Sequence, residues 1–214
     1  LKKAFKVLLP KDSINIIASG RTDAGVHAYN QVASVKLPSD LDLQTFFNSV
    51  NGIIDNDICI KSYHTVDDKF NARFSAQFRS YKYYIHTQFS PFKRDISWFI
   101  PHKINSQNLN NCAKALIGEH DFSKLSKENT ETQNKKCIIY ESFWEQSQNQ
   151  LIYNIKANRF LHHMVRFIIG SSIEVAKSNF VFEDFLNLIN NKSSKIHPIC
   201  APAKGLFLCE VLYE

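Results

Sequence analysis

No apolar run in the sequence approaches the roughly 20 residues needed to cross a bilayer. The opening, Leu1-Lys2-Lys3-Ala4-Phe5, lacks the long apolar core of a signal peptide. These absences predict a soluble protein of the cytoplasm. The five cysteines, Cys59, Cys112, Cys137, Cys200 and Cys209, are odd in number and never stand in a CxxC spacing. Neither a disulfide framework nor a zinc centre is predicted, and the cysteines read as small apolar fillers. What is present is ample apolar content, 44% of 214 residues, enough to bury one large core or two small ones. A net charge of +6 and a pI near 9.0 favour a polyanionic partner and permit nucleic acid.

Taken in order, Leu1 to Leu9 has helical spacing, with Leu1, Phe5, Leu8 and Leu9 on one face and Pro10-Lys11-Asp12 as the stop. An apolar strand is predicted over Ile14–Ala18 and a second from about Asn30 to Leu37, ended by Pro38-Ser39-Asp40. Phe46, Phe47, Val50, Ile53 and Ile54 mark an amphipathic helix over Asp42–Ile54, and Asp57–Val66 alternates as a strand. A basic, aromatic connector, Asn71–Phe78, leads into a strand over Ser80–Thr87 that sets Tyr81, Tyr83 and Ile85 on one face and Lys82, Tyr84 and His86 on the other. Pro91 and Pro101 bracket a loop. Asn105-Ser106 is an N-cap, and Leu109, Cys112, Ala113, Leu116 and Ile117 form the inner stripe of a helix closed by Gly118. A polar loop, Ser123–Lys136, precedes strands over Cys137–Gln146 and Leu151–Ala157 joined by a short turn. Helices follow over Phe160–Ala176 and Phe182–Ile189, then a last strand over Gly205–Tyr213. The first half reads helix, strand, strand, helix, strand. That is a split βαβ (ferredoxin-like) unit without its first strand, and the second half repeats the pattern complete. Two such units side by side are expected to form one sheet layer with a cleft between them.

One loop gathers the reactive groups: Ser19-Gly20-Arg21-Thr22-Asp23-Ala24-Gly25-Val26-His27-Ala28. It joins two predicted strands, and its glycines allow positive φ or close approach to a ligand. Residue chemistry alone leaves two readings open. One is a polar turn in which Asp23 caps an amide and Arg21 is solvated; the other is a site built on a carboxylate, a guanidinium and an imidazole. A metal pair at Asp23 and His27 lacks a third ligand nearby, and the glycine spacing is neither GxGxxG nor GxxxxGK[ST].

Three more segments follow in order: Phe70-Asn71-Ala72-Arg73-Phe74-Ser75-Ala76 with Arg79-Ser80-Tyr81-Lys82-Tyr83; Asn158-Arg159-Phe160-Leu161-His162-His163-Met164-Val165-Arg166 with Gly170; and Ala201-Pro202-Ala203-Lys204-Gly205-Leu206. With the Asp23 loop, these resemble the tRNA pseudouridine synthase A family, and together they span most of the chain. The resemblance implies an α+β pseudouridine synthase fold with mainly antiparallel sheets. Its two ferredoxin-like units are residues 1–74, carrying the Asp23 loop, and 75–214. It implies a cofactor-free and metal-free isomerase that turns uridine into pseudouridine at positions 38 to 40 of the tRNA anticodon arm, and a homodimer. Family members begin with a strand and a loop containing Tyr-Asp-Gly and Gly-Trp-Gln, which nothing here matches, so this chain is expected to start partway through its first helix.

The resemblance also assigns roles. Asp23 is the nucleophile, Arg166 its charged partner, and Tyr81 stacks on the target base. Phe160, Met164, Phe167 and Ile168 share a helix with Arg166, which puts that cation at the border of a buried region where an unpaired charge is costly. Arg21 is placed to fill the space of a flipped base or to hold the adjoining phosphate. By their chemistry, not by the resemblance, His27, Arg79, His162 and His163 are candidate backbone contacts, as are Arg73, Lys82 and Arg159, although each taken singly also reads as a solvated charge. Lys135 and Lys136 stand where the family has arginines, and Ser171-Ser172 interrupt its leucine-rich long helix. An RNA-binding module without catalysis would have similar composition but no use for Asp23, and a glycoside hydrolase would want a second carboxylate that none of the four motifs supplies.

Overall fold

The computed structural model describes residues 1–10, 13–102, 104–128, 132–192 and 196–213. The elements are α1 (Lys2–Leu8), β1 (Ile16–Ala18), β2 (His27–Ala28), β3 (Ala33–Val35), α2 (Leu43–Ile53), β4 (Phe78–His86), β5 (Trp98–Phe99), α3 (Ser106–Ala115), β6 (Gly118–Asp121), β7 (Lys136–Ser147), β8 (Gln150–Ala157), α4 (Met164–Ala176), α5 (Phe182–Ile189) and β9 (Leu206–Leu212). They form a mixed α+β structure in two compact units. One holds residues 1–20 and 32–75; the other holds 21–31 and 76–214. The loop carrying Asp23 therefore groups with the larger unit, not with its sequence neighbours.

In the smaller unit β1 and β3 pair antiparallel, Ile17 opposite Ser34. The core is Ala4, Phe5, Ile14, Phe46 and Val50, with Phe5 edge-on to Phe46 at 5.2 Å. α2 starts on Asp42, whose carboxylate accepts from the Gln44 and Thr45 amides and, at 2.6 Å, from the Thr45 hydroxyl. Those bonds hold the Asp42 carboxyl below its ordinary pKa. The strand expected over Asp57–Val66 does not form. The segment is exposed apart from Ile60. The Asn51 amide takes the place of a neighbouring strand, donating to the Ile60 carbonyl at 2.9 Å and accepting from its amide at 2.8 Å. Tyr63 stacks on Phe47 of α2 at 4.6 Å and Ile60 packs against the small core, while Ile58 and Val66 stay exposed.

The larger unit is a mixed sheet in the order β2-β9-β4-β8-β7-β6, with β5 pairing along β4. β4, β7, β8 and β9 pair antiparallel; β2 runs parallel to β9, and β5 parallel to β4. Tyr83, Ile85, Tyr153, Ile155 and Ile139 turn to one face and are buried, in one cluster with Leu109 and Leu116 from and beside α3 and Met164, Ile168 and Ile169 of α4. The expected α3 forms, capped by Asn105, but ends at Ala115. Gly118, at φ 103, opens the unexpected short strand β6. β5 likewise lies in the loop bracketed by Pro91 and Pro101. α4 starts at Met164, four residues later than expected, because His163 takes a left-handed conformation at φ 64 and breaks the helical path. Lys11 and Asp12 of the expected helix stop, and residues 129–131 of the polar loop, lie outside the described residues. Among the described residues no helix is long and apolar enough to cross a membrane.

Gly170 has a packing role. A Cβ at this point of α4 would overlap the backbone carbonyl of Ile199. Its absence lets the strap Ile199–Ala201 lie against the helix, where the Ala201 amide donates to the Arg166 carbonyl at 3.0 Å and the Ile199 amide to the Ser171 hydroxyl at 3.2 Å.

Candidate active site

The loop after Gly20 is fastened on its downstream side. The Val26 amide donates to the Asp23 carbonyl at 3.0 Å, closing a turn that Gly25 completes at φ 81. β2 then joins the edge of β9. The Tyr29 amide donates to Leu208 at 2.8 Å, and the Asn30 side chain donates to the Cys209 carbonyl at 2.7 Å. A carboxylate on such a loop is held by a sheet although it lies outside one.

Asp23 points inward, its side chain 17% exposed, and among the described residues three side chains meet it. Arg166 Nη1 donates to Asp23 Oδ2 at 2.6 Å; His163 Nε2 stands 3.2 Å from the same oxygen, and His162 Nε2 stands 3.2 Å from Oδ1. Arg166 is 16% exposed and also donates through Nε to the Ala201 carbonyl at 2.8 Å. One guanidinium thus bridges the carboxylate and the strap that Gly170 admits. A short charge-assisted bond between groups so far out of water is strong, and breaking it would strand a charge.

Tyr81 lies on β4 beside this cluster, partly buried and edge-on to Phe160 at 5.1 Å. Its hydroxyl is pushed up to about 12, chiefly by burial, with Arg79 opposing and the Asp23 charge adding. His163 is held below the ordinary imidazole value, mainly because burial disfavours its charged form, and the Asp23 carboxylate only partly offsets this. Burial also raises the nearby Cys200 thiol.

The other expected contacts sit apart. Arg21 is exposed, with no bonded partner among the described residues. The His27 ring stacks on Phe207 at 4.5 Å and bonds the Asp95 carbonyl at 2.9 Å, so it braces the loop and does not face Asp23. Arg79 donates to the Ala76 and Asn158 carbonyls at 3.3 and 3.2 Å, tying the start of β4 to the end of β8. His162 and His163, which the sequence marks only as candidate backbone contacts, both turn onto Asp23. Nor does the motif Ala201-Pro202-Ala203 by itself point to the Ala201 carbonyl as a partner of Arg166.

The donor atoms of Asp23, His162 and His163 lie within 4.8 Å of one another, a spacing a divalent cation could bridge. Arg166 weighs against that use: its charge already sits 2.6 Å from Oδ2, where a second cation would be repelled. The arrangement fits a carboxylate held by a guanidinium and steadied by two imidazoles, with an aromatic ring alongside. It suits covalent or general-base chemistry on an uncharged, flat substrate.

A family model described as tRNA pseudouridine synthase matches residues 112–214. A tRNA pseudouridine synthase A from Bacillus subtilis (strain 168) is 34% identical over 217 residues, covering 100% of this chain and 88% of that protein. One from Dictyoglomus thermophilum is 37% identical over 218 residues, with the same coverage, and one from Borrelia turicatae is 35% identical over 208 residues, covering 96% and 85%. The chain belongs to the tRNA pseudouridine synthase A family. It is therefore of an isomerase family, and its mixed α+β architecture is compatible with the pseudouridine synthase fold. The residues 112–214 include His162, His163 and Arg166; Asp23 and Tyr81 fall outside them and are reached by the full-length similarity.

Proposed function

We propose that this chain isomerises uridine to pseudouridine in tRNA with Asp23 as nucleophile, without a cofactor or a metal. The observation that carries the reading is the 2.6 Å bond between Arg166 and Asp23, residues 143 apart in sequence, in a member of this family. Arg166 holds the carboxylate in place through its bond to Oδ2, and attack by Asp23 Oδ opens the way to detach the base at N1 and rejoin it through C5. Tyr81 stacks on the base, and its high pKa keeps the hydroxyl protonated as a donor. A uridine in the anticodon stem-loop, at positions 38, 39 or 40, is flipped out of its stack to reach Asp23, and exposed Arg21 fills the gap or holds the neighbouring phosphate. Arg79 and His27 brace the β4 start and the Asp23 loop, and the net positive charge draws the tRNA in. Two ferredoxin-like units, with the Asp23 loop grouped with the larger one, a homodimer and a cytoplasmic location belong to the same reading. A glycoside hydrolase is disfavoured because the side chains on Asp23 are a guanidinium and two imidazoles, not a second carboxylate.

The test is tritium release from tRNA labelled at uridine C5, with the native chain and Asp23→Asn. Release by the native chain and none by the variant is expected. Equal release by both would overturn the role of Asp23, and tRNA binding without release by either would leave a binding protein in place of an enzyme.

A further inference from the structure

Arg166 and the loop of Asp23 rest on the same stretch of chain, the strap from Ile199 to Gly205. Its Ala201 carbonyl accepts from Arg166 Nε at 2.8 Å, and its Ala201 amide donates to the Arg166 carbonyl at 3.0 Å. On the other side, a Cβ added to Gly25 would lie 3.5 Å from the Ala203 Cβ, so the turn that follows Asp23 packs directly on the strap. Whatever fixes this stretch therefore fixes the separation of guanidinium and carboxylate.

Its anchor comes from β4. Tyr83 is fully buried, and its hydroxyl donates to the Pro202 carbonyl at 2.8 Å. The tyrosine ring lies against Gly205, where a Cβ would come within 2.6 Å of the Tyr83 Cζ. Burial pushes the hydroxyl well above the ordinary tyrosine value, with the Arg166 charge opposing, so the donor keeps its proton. The Ala201 and Pro202 carbonyls are consecutive, and only the φ and ψ of Pro202 lie between them. The proline ring locks φ, here -54°, which leaves ψ, here 141°, as the soft torsion. With the Pro202 carbonyl pinned to Tyr83 and the Ala201 amide pinned to α4, that torsion is set as well. The Ala201 carbonyl is then aimed at Arg166 Nε.

We infer that Tyr83 is a positioning residue for the isomerisation, acting through Pro202, Ala201 and Arg166 on the carboxylate of Asp23; the inference rests on the isomerase reading of the site. Loss of the hydroxyl leaves the ring against Gly205 and the core filled, but frees the strap carbonyls to turn, and Arg166 Nε loses an acceptor aimed at it. The guanidinium no longer presents Nη1 at one fixed point, which lowers turnover more than binding. The β4–β8 register supplies a control. Tyr153 stands opposite Tyr83, is also buried, and shares a 2.7 Å hydrogen bond with the Ser142 hydroxyl of β7 in place of the strap.

The experiment compares the native chain with Tyr83→Phe, Tyr153→Phe, Arg166→Lys and the double variant Tyr83→Phe with Arg166→Lys, at a temperature where all are folded. Tritium release from tRNA labelled at uridine C5 reads turnover. Hydrogen exchange of the Arg166 Nε–H, its NMR signal identified by its loss in Arg166→Lys, reads the strap bond without any reaction. Expected for Tyr83→Phe is a kcat lower by about 10–10²-fold, a KM for tRNA within about threefold of native, and faster Nε–H exchange. Tyr153→Phe is expected to match the native chain in both readouts. In Arg166→Lys, where no Nε remains to be aimed, removing the Tyr83 hydroxyl should cost less than about twofold more. Native turnover in Tyr83→Phe, equal losses in the two tyrosine variants, or a full loss retained in Arg166→Lys would each overturn the inference and leave Tyr83 a packing residue. Should Tyr83→Phe not fold, Pro202→Ala keeps both carbonyls and frees the torsion between them; the same kcat loss is expected there, and native turnover overturns the inference. A native chain that releases no tritium overturns the isomerase reading instead. The hold of Tyr83 on Arg166 is then read from Nε–H exchange alone, supported by faster exchange in Tyr83→Phe only and overturned by unchanged exchange.

Discussion

Arg166 performs two tasks with two different nitrogens, Nη1 to Asp23 and Nε to the Ala201 carbonyl. A lysine has one ammonium and can serve only one of these at a time. Arg166→Lys is therefore expected to lower kcat/KM for tRNA by about 10²–10³-fold while leaving tRNA affinity within a few-fold, because the lost donor acts on charge at the reacting centre. Steady-state kinetics beside a filter-binding titration separates the two, and an unchanged kcat/KM would remove Arg166 from the chemistry. A second residue-scale effect concerns pH. His86 is buried, bonded through Nδ1 to the Ser97 hydroxyl at 3.0 Å, and held below the free imidazole value of 6.5 by burial and by Lys93 and Lys204. The folded chain therefore binds this proton less readily than the unfolded chain. Below pH 6.5 the unfolded state holds more protons, so stability is lost as pH falls through that value and onward to the folded pKa. His163, lowered for the same reason, acts with the same sign. The urea midpoint of His86→Gln should shift less than the native midpoint between about pH 7.5 and pH 5. Identical shifts would show that His86 does not titrate on unfolding.

Elements with strong internal pattern were legible and those defined by their neighbours were not. Phe46 and Val50 on one stripe with Asp42 ahead are sufficient to place α2, and a turn between two long alternating runs is sufficient for β7 and β8. The alternation over Asp57–Val66 carries the same local signal, but a strand exists only when a neighbouring strand pairs with it, and here Asn51 satisfies Ile60 instead. β5 and β6, two and four residues long, owe their strand state to β4 and β7 and have no periodicity of their own. The late start of α4 was hidden because Phe160–His163 is as apolar and aromatic as the helix itself; only the backbone of His163 ends it. Two glycines give a matched pair at this scale. Gly170→Ala would drive a methyl into the Ile199 carbonyl and lift the strap that aligns Arg166. A loss of about 1–3 kcal/mol of stability is expected, with a fall in activity at temperatures where the chain is still folded. Gly52→Ala, in α2 with open space around it, is expected to gain about 0.4–1 kcal/mol by restricting the unfolded chain. Denaturant melts of both variants check the contrast. A neutral Gly170→Ala would mean that the strap yields without cost and that Arg166 does not depend on it.

For the whole molecule, the order of motifs along the chain carried the family, because four ordered segments spread over the length are far more specific than any one. The roles of individual cations were less legible, since a lysine or arginine in a motif looks the same whether it meets a phosphate or braces a turn. His27 and Arg79 are occupied by protein groups, whereas Arg21 is exposed and unbonded among the described residues. If tRNA is drawn in by summed charge, then log affinity should fall linearly with log salt. With about four phosphates neutralised, the loss between 50 and 200 mM salt is on the order of 100-fold. Arg21→Gln should weaken binding at low salt and reduce the magnitude of that slope by about 1, whereas His27→Gln should leave the slope alone because its ring is spent on Phe207 and Asp95. Binding isotherms at several salt concentrations, with unmodified tRNA and the two variants, read both slopes directly. An Arg21→Gln slope equal to the native one would place that guanidinium away from the phosphates and leave it the part of filling the space of the flipped base. In that case the variant would lose turnover and keep its salt dependence.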